Sequence, residues 1–204
     1  MVKFRYISDI HLEFLKEFPK IINNDFINET LLLLGDIGYV NSKIYTNFIN
    51  YTSNNWKNVI VLYGNHEFYD TSKRFTMDDA YKFKFPKNVY LLNNKCIYIN
   101  KVTNEISEVH EGLPKVITEQ SNLIKLIGTT LWSDIDPSIV KHINDFKKIY
   151  YKKSLLTCND SLALFNDNKQ FILDSIKTDS KIPKIILTHH AIHDICNGKF
   201  IGGP

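Results

Sequence analysis

The sequence predicts an α/β domain, and three observations carry that reading. Apolar runs of strand length recur along the 204 residues, each closed by a turn or a polar cluster. Mixed segments with apolar residues at helical spacing separate them. The runs are almost continuously apolar rather than alternating, as expected of strands covered by helices. No internal repeat, low-complexity tract or Pro/Gly-rich linker divides the chain, so residues 1–204 read as one domain with enough length for a full core.

In order, "VKFRYIS" and "LLLLG" are the first two strands. Ser42 to Trp56 carries Ile44, Tyr45, Phe48, Ile49 and Tyr51 at roughly helical spacing and predicts a helix. "NVIVLYG", "VYLLN" and "CIYI" are strands, and Lys101 to Gln120, with Gly112 and Pro114, reads as a loop or hairpin. "LIKLIGTTLW" is a further strand, in which Trp132 fits either the core or a pocket wall. "KKIYYKK", Lys147 to Lys153, reads as a solvated helix face with its tyrosines turned inward, the alternative being a track for a nucleic-acid backbone. Asn159 or Ser161 caps a helix bearing Leu162, Phe165, Ile172 and Ile176, and "KIILTHH" is the last strand.

Bulk properties narrow the function classes. Twenty-five basic against 22 acidic residues leave a net charge of +3, a mild excess that is no nucleic-acid footprint. Cys96, Cys158 and Cys196 lie far apart without a C-x-x-C pair, which predicts free buried thiols, a reducing compartment and no thiolate zinc. The first residues hold no apolar leader, and "LLLL" is far short of the roughly 20 residues of a membrane span, so the expected location is cytoplasmic.

The chemistry-bearing residues gather at the C-terminal ends of predicted strands: Asp9 and His11, then Asp36, then Asn65, His66 and Glu67, then His189 and His190. In open α/β sheets ligands bind at those ends, so scattered positions can converge. At spacing two, Asp9 and His11 would point to one side of an extended backbone. Carboxylate, amide and imidazole donors without thiolate suit Mn²⁺, Fe²⁺ or Zn²⁺. Two such ions against Asp9 and Asp36 leave surplus positive charge, which attracts a phosphate ester. His110 and His142 sit in polar stretches and read as surface residues.

"DIH", "GD", "GNHE" and "THH" in this order resemble the calcineurin-like metallophosphoesterase superfamily, and "GTTLW" and "LWSD" are similar to a segment of one of its bacterial-type branches. The resemblance runs from Phe4 to about His190. It implies two packed mixed β-sheets flanked by helices, with two divalent ions, Mn²⁺ foremost and iron or zinc as alternatives, at the sheet edge. Asp9 and His11 would bind the first ion, Asp36 would bridge, and Asn65 and His189 would bind the second. A bridging water or hydroxide would attack the phosphoester. His66 would contact the phosphate and protonate the leaving oxygen, Glu67 would orient its ring, and His190 is a candidate substrate contact.

One departure qualifies this. The family pattern closes with G-H-x-H, one histidine per ion, and no such motif occurs before Pro204. The expectation is a C-terminally truncated domain with at most three protein ligands per ion, His193 being a possible substitute. Its sheet edge would be exposed and open to self-association or to a C-terminal piece supplied in trans, and its turnover alone slow or absent. The readings left open are a phosphate mono- or diesterase, a nuclease, an inactive remnant that binds a partner, and a single-metal module.

Overall fold

The computed structural model describes residues 1–20, 24–69, 75–108 and 122–192. Each strand run of the sequence forms a strand. β1 (Phe4–Ile7), β2 (Thr30–Leu34), β3 (Asn58–Leu62) and β4 (Val89–Leu91) pair side by side in that order, all parallel. A second sheet has the order β10-β7-β5-β6, with β5 (Lys95–Asn100), β6 (Ile106–Glu108), β7 (Leu123–Thr129) and β10 (Lys184–Thr188). There β10 runs parallel to β7, while β5 is antiparallel to both β6 and β7. One sheet is therefore parallel and the other mixed. The predicted loop or hairpin after Lys101 begins as the β5–β6 hairpin, and residues 109–121 lie outside the described set.

Residue alternation builds the layers. Leu32, Ile60 and Leu62 turn to the second sheet and pack with Leu92, Ile97, Ile99, Leu126 and Leu187. Leu31, Leu33, Val59 and Val61 turn the other way, onto helix α1 (Lys43–Asn55) and its aromatic neighbours. Ser42 caps α1 by accepting from Tyr45 N, and Tyr45, Phe48 and Ile49 are fully buried, each side chain contributing about 1.5–3 kcal/mol. Helix α4 (Cys158–Lys177) covers the far face of the second sheet through Phe165 and Ile172, against Ile127 and Ile186. The architecture is thus the expected pair of packed sheets between helices.

Two local expectations are corrected. The cap of α4 is Thr157, two residues before Asn159 and four before Ser161, because Asp160 completes a reciprocal capping box with it. Of Lys147 to Lys153, only the first two residues are helical, in α3 (Asp145–Lys148); Tyr150–Tyr151 form β8, paired with β9 (Ser154–Leu155) around a turn in which Lys152 has φ 55°. The short helix α2 (Met77–Ala80) is closed by its own capping box at Thr76. Cys96 and Cys158 are half-buried and free, and Cys196 lies outside the described residues. Among the described residues no helix is long and apolar enough to cross a membrane.

Candidate functional site

The loop after β1 lies along the loop after β2, with Asp9 N donating to Gly35 O (3.1 Å), His11 N to Asp36 O (3.0 Å) and Leu12 N to Ile37 O (2.9 Å). Asp9, His11 and Asp36 all adopt left-handed backbone, φ 55°, 52° and 52°. Such conformations cost a non-glycine residue on the order of 1 kcal/mol and persist only where surrounding bonds enforce them. This corrects the extended-strand argument for Asp9 and His11. The left-handed turns, not the alternation of a strand, aim their side chains.

Asp36, buried, is the hub. Its Oδ1 accepts from His66 N at 2.9 Å and lies 3.4 Å from His189 Nε2, while its Oδ2 is 3.9 Å from both His11 Nε2 and His66 Nε2. Ligand atoms of Asp9, Asp36 and His189 fall within 4.8 Å of one another, and so do those of His11, Glu13 and His66. Asp9 therefore groups with His189 rather than with His11, and the two clusters meet at Asp36. Each imidazole is turned by an acceptor at Nδ1: His189 by Leu34 O (2.9 Å), His11 and His66 by Glu13 Oε1 (3.1 and 2.7 Å). With Nδ1 carrying the proton, Nε2 of all three faces the Asp36 carboxylate.

Glu67 is not where the sequence placed its role. Fully buried, it accepts from the backbone of Asp36 (2.9 Å), Ile37 (2.7 Å) and Gly64 (2.7 Å), so it braces the two loops. Burial and then the charge of Asp36 push its carboxyl up to about 8, against the opposing pull of the three amides. Glu13 takes the place at the His66 ring that was expected of Glu67. Burial works against protonation of His66, but the Glu13 hydrogen bond and the charges of Asp36, Glu13 and Glu67 prevail and raise its pKa.

Asn65 precedes the short turn His66–Phe68 without capping it through its side chain, and its amide nitrogen donates instead to Asp145 Oδ1 (2.8 Å) and to Tyr69 OH (3.2 Å). His190 donates from Nδ1 to Leu131 O (3.1 Å); burial and neighbouring His189 push its pKa down to about 4, so the ring is neutral at ordinary pH. Trp132 is a core residue, stacked on Phe68 with its edge toward His190. His142 is exposed, and His110 and His193 lie outside the described residues.

The donor set fits divalent cations: mixed oxygen and nitrogen ligands converge, and glycines let the backbone approach them closely. A Cβ on Gly64 would stand 2.3 Å from Asp36 Oδ1 and 2.7 Å from His189 Nε2, and one on Gly35, whose φ is +90°, 2.4 Å from His189 Nδ1. Because the same Cβ on Gly64 would also stand 2.7 Å from the Asp36 backbone N, Gly64→Ala is expected to cost stability as well as to lower Mn²⁺ affinity about 10-fold or more, checked by metal titration alongside thermal melting.

Glu13, Tyr69 and Asp145 were missed by sequence reasoning. Glu13 had a signal, as the third polar residue of "DIHLE"; Asp145, some 80 residues from Asn65, had none.

The sequence matches the family description Calcineurin-like phosphoesterase over residues 2–201. An uncharacterized protein of Acanthamoeba polyphaga mimivirus is 32% identical over 207 aligned positions, covering 92% of this chain and 67% of the viral protein. The crystal structure of a phosphopantetheinyl hydrolase from Mycobacterium tuberculosis superposes with a TM-score of 0.62 at 15% identity, over 98% of this chain and 72% of that one, and shares the fold. Strand-end donors meeting at one carboxylate, on a sandwich of this kind, agree with the sequence match, and the chain belongs to the calcineurin-like phosphoesterase family, hydrolases of phosphoester bonds.

Proposed function

We propose that residues 1–204 act as a single domain that hydrolyses phosphate mono- or diesters with two divalent cations, Mn²⁺ foremost, held by Asp9, His11, Asp36, Asn65 and His189. The observation that carries this reading is the Asp36 carboxylate standing between His11 Nε2 and His189 Nε2, where one side chain can serve two ions. Bound cations would supply Lewis acidity, activating water and neutralising the phosphate. The chain's own residues do the rest. Glu13 holds the Nδ1–H of His66, and the raised pKa of the ring favours its doubly protonated form, whose Nε2 can hand its proton to the departing oxygen. The stacked Tyr69 ring, 4.3 Å from the imidazole, keeps that ring from swinging. His190, neutral beside His189, offers a polar contact to the ester.

Metal-stripped protein is expected to lose hydrolysis of bis(4-nitrophenyl) phosphate and 4-nitrophenyl phosphate, to regain it with Mn²⁺, and to bind two equivalents. Hydrolysis that survives chelation, or a single bound equivalent at saturation, would overturn the proposal.

A further inference from the structure

An asparagine that ligates a metal must present its oxygen, yet its two amide ends are almost the same shape. Something has to choose between them. Around Asn65 the choice is made by a closed triangle of hydrogen bonds: Nδ2 donates to Asp145 Oδ1 (2.8 Å) and to Tyr69 OH (3.2 Å), and the Tyr69 hydroxyl donates its own proton to the same Asp145 oxygen. Both amide hydrogens and the phenolic hydrogen are thereby committed. Flipping the amide would set its carbonyl against a carboxylate and against a phenol whose hydrogen is already given away, two acceptor contacts in place of two hydrogen bonds.

Asp145 and Tyr69 are both buried, so water is poorly placed to relieve that mismatch. Their mutual position is fixed by backbone. Tyr69 bridges antiparallel to Ile149, and Ile149 N donates to Asp145 O (2.9 Å) at the end of α3. The Lys148 ammonium lies 5.0 Å from the centre of the Tyr69 ring. The Tyr69 ring in turn stacks on His66. A segment from the second half of the chain thus grips the β3 loop at the residue beside the proton donor.

We infer that Asp145, with Tyr69, is a positioning residue that selects the oxygen end of Asn65 for a divalent cation. This rests on the reading of Asn65 as a ligand. Asp145 touches neither cation nor substrate; it acts through the amide. The inference concerns which end of the amide is presented, and so it predicts a dependence on the identity of residue 65 that a merely structural carboxylate would lack.

The test is Mn²⁺ binding to the full chain, followed by the electron paramagnetic resonance signal of free Mn²⁺, with thermal melting of the metal-free protein alongside. Asp145→Ala should weaken one of two equivalents about 10–100-fold and leave the other unchanged. Asp145→Asn, which keeps an accepting oxygen, should recover most of the loss. Tyr69→Phe, which keeps the ring and removes the second acceptor, should weaken the same equivalent by a smaller factor; these two variants decide the matter if Asp145→Ala does not fold. In an Asn65→Asp background both ends are oxygen and Asp145 only repels, so adding Asp145→Ala should leave affinity unchanged or raise it. A loss of the same size in both backgrounds would overturn the inference by showing a structural role. If Asn65→Ala weakens an equivalent while Asp145→Ala does not, the ligand assignment stands and the inference falls. If Asn65→Ala leaves both equivalents intact, the ligand assignment itself fails and the inference with it.

Discussion

Replacing Glu67 with alanine is expected to destabilise the metal-free protein by about 3–6 kcal/mol in urea unfolding, and to abolish high-affinity metal binding in whatever fraction remains folded. The change strips the acceptor from three backbone N–H groups at once, those of Asp36, Ile37 and Gly64. Each buried donor left without a partner costs about 1–3 kcal/mol. We take the lower half of that range because the vacated volume can admit water. Those amides belong to the loops that carry Asp36 and Asn65, so the damage reaches the site directly. Glu67→Gln should be intermediate: one oxygen stays, but its amide group now faces a backbone donor. A Glu67→Ala protein as stable as the parent would show that the loops are held by something else.

The second large effect belongs to His66. His66→Ala is expected to lower kcat about 10²–10⁴-fold on an ester with a poor leaving group such as phenyl phosphate, with both Mn²⁺ equivalents retained. The loss should be much smaller on a nitrophenyl ester, whose leaving oxygen departs without a proton. That contrast separates a proton donor from a ligand, because removal of a ligand lowers metal affinity and slows both substrates alike. Equal losses on the two esters would remove His66 from the donor role, whatever their size.

The layered fold was legible because strand-length apolar runs and helical spacing are local signals. β2 and β3 are buried throughout or nearly so, and they read as unbroken apolar runs for that reason. The candidate donors at strand ends were legible as polar residues because such residues are conspicuous after apolar runs. Roles fixed by tertiary contact were not. "NHE" places Glu67 next to His66, and adjacency suggests partnership, but the short turn sends the carboxylate inward to the backbone of another loop. Glu13 reaches the ring instead because His11, in left-handed backbone, starts the turn Leu12–Phe14. Asp145 depends on a chain reversal through β8 and β9, carried by two-residue strands with no periodicity to detect.

The donors are drawn from both layers of the sandwich. Asp9, Asp36 and Asn65 follow strands of the parallel sheet, whereas His189 follows β10 of the mixed one, within 3.4 Å of Asp36. On the proposed reading, a cation held by Asp36 and His189 would staple the interior seam, and its pocket would form only once the two layers have docked. Ion capture would then follow docking, and a loaded molecule would resist separation of its layers by an amount that grows with the logarithm of the ion's concentration over its dissociation constant.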